Sequence, residues 1–307
     1  MTITIPSLTS DHVDRYFEYI QLPHEYRRDR NPKLDIALLT TIHTYHVSTI
    51  PYENIALHYA PEAHISLEVS DIYHKFVERG RGGYCMENNI FLYHVLSFLG
   101  FQVYLAGARL HRDARSNSPG WSGWEHAVNI VTLADHTQYL VDVGYGGDGP
   151  KAPLPLESGT TTPNIGTQEL QLLYGTIDGL SDNKQRMWIY QFRNAPDSPW
   201  TPAYAFTETE FLRRDFEVMS FYTSQHPQCF LTSNLLVIKF LREGSSLYGK
   251  IILDQDKVKE NLGGKSVLVK MCSTEEERVQ VLRDKFGICL TKEEQKGIIG
   301  RRSELVK

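Results

Sequence analysis

Apolar residues recur at helical spacing over much of the first hundred residues. Leu92, Val95, Leu96 and Leu99 stand at i, i+3, i+4 and i+7, which predicts a helix with one apolar face that ends at Gly100. Three further segments with this spacing are predicted to be helices: residues 12–20, 34–45 and 70–78. We therefore expect a bundle of helices at the start of the chain.

From residue 101 onward the pattern changes to short runs rich in β-branched residues, which is typical of strands. Residues 124–133 and 138–143 are two such runs. A short polar turn around Ala134 separates them, so they are predicted to pair as a hairpin. More strands are predicted at residues 102–106, 187–192, 235–241, 251–254 and 265–269. Residues 275–286 return to helical spacing.

The hairpin suggests a pair of polar side chains. If the turn is centred on Ala134, residues whose numbers sum to 268 lie opposite each other, and His126 and Asp142 satisfy this sum. Their Cβ atoms would then be about 5 Å apart on one face. Asp142 could accept the Nδ1 proton of His126 and leave Nε2 free to act as a base. The alternative is that His126 is a core histidine and Asp142 a turn residue.

Cys85 is a candidate nucleophile just before the predicted helix. Gly82 and Gly83 allow a tight turn before it, because glycine carries no Cβ penalty at positive φ. A thiol in the first turn of a helix lies near unpaired amides and the positive end of the dipole, which favours the thiolate. The alternative is a buried structural cysteine. Arg81 and Glu87 flank the turn and are either a buried ion pair or two solvated charges.

The composition narrows the possible classes of protein. Hydrophobic content of 41% and charged content of 22% over 307 residues are ordinary for a globular protein. A net charge of −5 argues against general nucleic-acid binding, and no apolar run approaches the ~20 residues of a membrane span. The start of the chain lacks the features of a signal peptide. The four cysteines show no C-x-x-C pairing, which favours the cytoplasm and argues against a metal site.

The segments that carry Cys85, His126 and Asp142 resemble the arylamine N-acetyltransferase family. The matching segments follow the family's order: residues 50–54, 81–89, 125–128, 142–147 and 226–230. They extend from about residue 50 to about residue 235, and their combination is far more specific than any one of them. The resemblance supplies what spacing alone does not, namely a reason for the cysteine, histidine and aspartate to meet.

The resemblance implies an α+β fold with a cysteine-protease-like Cys-His-Asp core. Residues 1–100 would form a helical bundle that carries the nucleophile, and residues 101–220 an antiparallel β-barrel that carries the histidine and the aspartate. Residues 221–307 would form a C-terminal α/β lid. The implied catalytic residues are Cys85, His126 and Asp142.

The resemblance also implies an activity in xenobiotic metabolism. The acyl group, acetyl by default, would pass by a ping-pong mechanism from acyl-coenzyme A to the nitrogen of an arylamine or arylhydrazine. Coenzyme A would be a co-substrate, with no tightly bound cofactor and with neither a nucleic acid nor a membrane as partner. The oligomeric state is left open.

Six further residues match family positions that contact the two substrates. The residues expected to contact coenzyme A are Ser122, Gly123, Thr232 and Ser233, and those expected to contact the acceptor are Tyr145 and Phe230. For each residue, packing or loop hydrogen bonding is the alternative role.

Several alternatives remain open at the level of the sequence. Lys151 or Arg109 could favour an acidic acyl group such as malonyl, or could be solvated surface charges, and propionyl is another possible donor group. The same three residue types also serve thiol hydrolases and transglutaminase-like enzymes. A further alternative is a non-catalytic binding protein on the same scaffold.

Overall fold

The computed structural model describes residues 8–112 and 119–306. The α-helices of this part of the chain are α1 (Ser10–Tyr19), α2 (Ile36–Thr49), α3 (Ala56–Tyr59), α4 (Val69–Tyr73), α5 (Cys85–Leu99), α6 (Arg213–Gln225), α7 (Phe230–Ser233), α8 (Glu275–Val281) and α9 (Lys292–Gly297). Two 3₁₀ turns span His24–Tyr26 and Arg28–Arg30, and π-helical turns span His74–Glu78 and Leu282–Phe286.

The two longest strands of the described residues follow directly after the helical region. They are β1 (Tyr52–Glu53), β2 (Gln102–Arg112), β3 (Gly120–Thr132), β4 (Gln138–Val141), β5 (Leu154–Pro155), β6 (Thr161–Pro163), β7 (Glu169–Gly175), β8 (Met187–Arg193), β9 (Thr201–Phe206), β10 (Leu236–Glu243), β11 (Ser246–Asp254), β12 (Lys257–Asn261) and β13 (Val267–Met271).

The helices of the first hundred residues share an apolar core. Tyr16 of α1 and Phe76 both contact the ring of Phe91 in α5, with centroids 5.0 and 5.4 Å away. The predicted helices are confirmed, although the third changes to a π-helical turn at His74. Helix α5 ends at Gly100, which adopts a φ of 96° in the left-handed region and caps the helix as the sequence predicts.

Strands β2 to β9 form a nearly closed antiparallel barrel. Their order in the sheet is β5-β4-β3-β2-β9-β8-β7-β6. Buried side chains of neighbouring strands from β4 to β8 in this order fill one face of the sheet, among them Val128, Leu140, Tyr190 and Phe206. The barrel therefore provides a rigid support for His126, which lies on β3.

A second sheet joins the two ends of the chain. Its order is β1-β10-β11-β12-β13, so that β1 from the helical region pairs with β10, and Tyr52 lies opposite Ile238. The α+β fold class is confirmed. The expected boundary at residue 220 lies inside α6. Within the described ranges, no helix is both long enough and apolar enough to cross a membrane.

Candidate active site

Cys85 is the first residue of α5, and its surroundings explain the two glycines before it. A Cβ on Gly82 would lie 1.8 Å from the carbonyl oxygen of Pro51, and one on Gly83 would lie 2.7 Å from the side chain of Glu87. Neither glycine has a positive φ, so the freedom of glycine in that region is not the reason that this turn needs them. The glycines are required because the backbone of residues 82 and 83 passes too close to its neighbours for any side chain.

The charges that flank Cys85 have partners other than the expected ones. Arg81 is buried and lies 2.9 Å from Glu53 and 3.2 Å from Glu294. Glu87 bonds to Lys75 at 2.7 Å and accepts the backbone N–H of residue 84 at 3.1 Å. The suggested Arg81–Glu87 pair is therefore wrong, and each of the two residues braces the turn through a different segment.

His126 and Asp142 are in direct contact. The His126 Nε2 atom donates to Asp142 Oδ2 at 2.8 Å, and both side chains are buried. Burial alone would raise the pKa of Asp142. His126, Asn89 and the backbone N–H of Gly144 outweigh that effect and hold the pKa below its ordinary value. Asp142 is therefore a carboxylate that can stabilise a protonated imidazole.

His126 and Asp142 are in contact as predicted, but the predicted register of the hairpin is wrong. Val131 lies opposite Tyr139, so facing residues sum to 270 and the turn is centred one residue later than expected. Asp142 follows the end of β4 and meets His126 diagonally, not directly across the ladder. The observed register differs from the expected one by two in the sum of facing residue numbers. An even difference keeps both side chains on the same face of the sheet.

The nitrogen of His126 that bonds to Asp142 also differs from the expected one. Asp142 bonds to Nε2 of His126, not to Nδ1. The nitrogen left for proton transfer is therefore Nδ1. The sequence cannot distinguish the two nitrogens, because the choice depends on the rotation of the imidazole ring about its Cβ–Cγ bond.

Asn89 connects α5 with the segments that carry His126 and Asp142, a role that the motifs of the sequence do not indicate. It is fully buried on α5, one helical turn after Cys85. Its Nδ2 donates to Asp142 Oδ1 at 2.9 Å and to the Ala127 carbonyl at 2.7 Å, while its Oδ1 accepts from the Val143 N–H at 3.1 Å. A signal was present in its spacing of i+4 from the cysteine, which places both on one face of α5.

The Cys85 thiol is not a free thiolate in this environment. Its Sγ donates to the Glu125 carbonyl at 3.7 Å, and the residue is buried. Burial and the Asp142 carboxylate raise the pKa of the thiol, and the backbone N–H groups of Met86 and Ala127 oppose this rise only in part. The expected activation by the helix N-terminus is therefore outweighed by desolvation, and ionisation of Cys85 requires a proton acceptor nearby.

Cys85 and His126 line a cavity of about 1620 Å³. Three of the six residues expected to contact substrates also line it, namely Tyr145, Phe230 and Ser233. The ring of Tyr145 meets the His126 ring edge to face, with centroids 5.6 Å apart. The nucleophile, the imidazole and an aromatic side chain thus face the same space.

The other three expected contacts lie outside the cavity lining formed by the described residues. Ser122 Oγ accepts the backbone N–H of Leu110 at 2.9 Å, and Gly123 is exposed. Thr232 donates its hydroxyl to the Cys229 carbonyl at 2.9 Å. Ser122 and Thr232 thus have local structural bonds, and the contact with coenzyme A stays a prediction for all three residues.

The two cations suggested for an acidic acyl group are engaged elsewhere. The Arg109 guanidinium stacks on Trp124, 4.2 Å from the ring centroid, and Lys151 donates to the Asn164 carbonyl at 2.8 Å. Neither belongs to the lining contributed by the described residues. Three ion pairs in the described chain do have both members in that lining: Arg112–Glu125, Lys250–Asp148 and Lys259–Asp254.

Comparisons with known proteins show the family of this chain and its fold. An N-acetyltransferase family model matches residues 35–295. The chain is 35% identical over 317 residues to N-malonyltransferase FDB2 of Gibberella moniliformis, covering 94% of this chain and 92% of that protein. It is 30% identical over 210 residues to the arylamine N-acetyltransferase of Mycolicibacterium smegmatis, covering 68% and 71%.

A solved structure shares the fold. The Mycobacterium marinum arylamine N-acetyltransferase in complex with CoA matches with a TM-score of 0.76 at 24% identity, covering 95% of this chain and 96% of that one. The structural match supports the fold, and the family model and the relatives extend the agreement to the sequence. The chain therefore belongs to the arylamine N-acetyltransferase family of acyltransferases.

Proposed function

We propose that this protein transfers a short acyl group from an acyl-coenzyme A to the nitrogen of an aromatic amine or hydrazine, through a thioester on Cys85. The observation that carries the proposal is that Cys85 and His126 line one large cavity and that Asp142 bonds to His126. At about 1620 Å³, this cavity exceeds the roughly 300–1,000 Å³ of ordinary ligand pockets, so it has room for a coenzyme and an acceptor.

In the first half-reaction, His126 takes the proton of the Cys85 thiol on Nδ1. Asp142 stabilises the imidazolium through Nε2, which compensates for the raised pKa of the buried thiol. The thiolate attacks the thioester carbonyl, and the coenzyme A sulfur leaves with the proton from His126. One thioester replaces another, so the acyl group keeps its transfer potential.

In the second half-reaction, the amine attacks the acyl-Cys85 carbonyl, and His126 passes the amine proton to the leaving sulfur. Aromatic amines suit this step, because they are largely unprotonated at neutral pH. The backbone N–H of Cys85 belongs to the first turn of α5, where amides lack helical acceptors. It is our candidate donor to the developing oxyanion.

Tyr145 and Phe230 are the proposed contacts for the acceptor ring, and Ser233 is a proposed contact for coenzyme A. All three line the same cavity as Cys85. The M. marinum relative whose structure contains CoA supports this type of donor. The contacts proposed for Ser122, Gly123 and Thr232 require the coenzyme to extend beyond the cavity lining.

A malonyl donor is a second candidate beside acetyl. It is favoured by the 35% identity to a protein named N-malonyltransferase and by the three cations of the lining that belong to ion pairs. Acetyl is the donor group in the name of the family. Both donors require the same thioester chemistry on Cys85.

The test is to mix the purified protein with acetyl- or malonyl-coenzyme A and measure its intact mass. We expect one acyl group per chain, lost on addition of an arylamine, and no acylation of Cys85→Ser. Turnover by that variant should fall by at least about 10⁴-fold, because serine does not ionise beside an imidazole as cysteine does.

Each alternative predicts another outcome. An acyl group lost rapidly to water without an amine would indicate a thiol hydrolase. Absence of any acylation by either donor would indicate a binding protein. A Cys85→Ser variant that turns over at the normal rate would remove Cys85 from the mechanism.

A further inference from the structure

We infer that Arg112 binds the free carboxylate of a dicarboxylic acyl group, such as malonyl, while that group is attached to Cys85. The inference rests on the proposed thioester at Cys85 and concerns which donors this site selects. It assigns a specificity-determining role to a residue that none of the motifs above contains.

Arg112 is connected to the nucleophile through Glu125. The Cys85 Sγ donates to the backbone carbonyl of Glu125, and the side chain of Glu125 accepts from Arg112 Nη2 at 2.5 Å. The Glu125 side chain is only 6% exposed and that of Arg112 is 23% exposed. Both residues line the cavity that contains Cys85. Glu125 thus bonds to the guanidinium through its side chain and to the thiol through its backbone carbonyl.

The chemistry of the acyl group explains why a cation matters at this position. An acetyl group ends in a methyl and needs no charged partner. A malonyl group ends in a carboxylate two bonds from the thioester carbonyl, and a buried carboxylate is costly without ionic or hydrogen-bonding partners. A guanidinium has five N–H donors in a planar fork and can bridge two carboxylates. Arg112 can therefore hold Glu125 and the acyl carboxylate together.

Glu125 is suited to accept a second carboxylate beside it. Burial raises the pKa of Glu125, and Arg112 opposes that rise. When an acyl carboxylate arrives, like-charge repulsion favours uptake of a proton by one of the two acids. The site then keeps one net negative charge against the guanidinium, so no unpaired charge is buried.

Of the other cations in the cavity lining, the two that belong to ion pairs are less suited to this role. Lys250 already bonds to the Gly147 carbonyl and to Asp148, and Lys259 is paired with Asp254. Both lie on the second sheet, on β11 and β12. None of these contacts involves a residue that touches the Cys85 sulfur.

The experiment compares kcat/KM for malonyl-, acetyl- and butyryl-coenzyme A with one fixed arylamine. Butyryl is a neutral acyl group of similar length to malonyl. We expect wild type to prefer malonyl over butyryl. Arg112→Met should lower the malonyl-to-acetyl ratio by about 10- to 100-fold, because a charge-assisted hydrogen bond is lost only for malonyl.

Arg193→Met is a matched control. Arg193 is also 23% exposed and bonds to a barrel glutamate, Glu169, at 2.6 Å, but it lies outside the cavity lining of the described residues. Its malonyl-to-acetyl ratio should stay within about twofold of wild type. If Arg112→Met loses activity with every donor, the variant Arg112→Met/Glu125→Met replaces the whole pair and leaves no unpaired acid. It should transfer acetyl and discriminate against malonyl.

Three results would overturn the inference: a wild type that prefers butyryl over malonyl, an unchanged donor ratio in Arg112→Met, or a double variant that keeps the malonyl preference. The first needs no variant, so misfolding cannot obscure it. Failure of the proposed function is a separate result, because wild type would then form no acyl-Cys85 with any donor.

Discussion

The two walls of the cavity are built on different principles. Around Cys85, the polar groups of Asn89 and Asp142 are buried and bonded to fixed protein atoms. On the second wall, which β11 and β12 form, Lys259 and Asp254 make a half-exposed ion pair on neighbouring strands. Buried hydrogen bonds fix geometry, whereas exposed charges are screened and adapt. We infer that the first wall determines the chemistry and that the second contributes to ligand binding.

The largest effect that distinguishes the walls is expected for Asp142→Asn. The variant keeps the shape of the side chain but removes the charge that stabilises protonated His126. We expect kcat to fall by about 10³- to 10⁴-fold, with little change in KM for the acyl-coenzyme A. Single-turnover acylation of Cys85 measures the affected step directly. A loss below tenfold would show that His126 works without the carboxylate.

The next prediction compares the buried Asn89, which supports the first wall, with Asn261, which lines the second. Asn89→Ala removes four side-chain hydrogen bonds, made with Ala127, Asp142, Asn129 and Val143. We expect the free energy of unfolding to fall by about 2–4 kcal/mol, because buried partners are left without hydrogen bonds. Urea unfolding measures this loss, and kcat should fall with it, since Asn89 orients Asp142.

Asn261→Ala is the control on the second wall. Asn261 lines the cavity but bonds to the exposed turn at Gly263 and Gly264, where water can replace it. We expect a loss below about 1 kcal/mol and a normal kcat. Equal losses in the two variants would contradict the distinction between the walls.

The smallest effect is expected for Lys259→Met. Its Nζ lies 2.8 Å from Asp254, and its side chain is 32% exposed. We expect KM for the acyl-coenzyme A to rise about threefold at low salt with an unchanged kcat, because a screened cation contributes little. The difference should vanish at high ionic strength. A reduced kcat would mean that the second wall takes part in chemistry.

The sequence predicts the local features of the first wall well. The apolar spacing after Cys85 predicts α5, and Gly100 predicts its end, because both depend on neighbours within two turns. The strands of the hairpin are also predicted. Its register is wrong by one residue at the turn, since His136 adopts a positive φ that residue type does not specify. The facing nitrogen of His126 depends on ring rotation, which no sequence pattern reports.

Long-range partners account for most of the remaining errors. Arg81 pairs with Glu294, more than two hundred residues away, and no local pattern relates them. Strand β12 was missed because Lys257–Asn261 is largely polar and only Val258 is fully buried. No sequence pattern indicates the contact of Arg112 with Glu125, because it depends on two bulges in the β2–β3 ladder.

The turn before Cys85 is held in place by segments that are distant in sequence, and this affects how the protein is synthesised. Tyr52 needs β10 as its partner strand, and Arg81 needs Glu294, which follows it by 213 residues. Both partners leave the ribosome long after Cys85. A growing chain therefore carries its thiol in an incompletely braced turn, and we expect the capacity to accept an acyl group to arise only after Glu294 has left the ribosome.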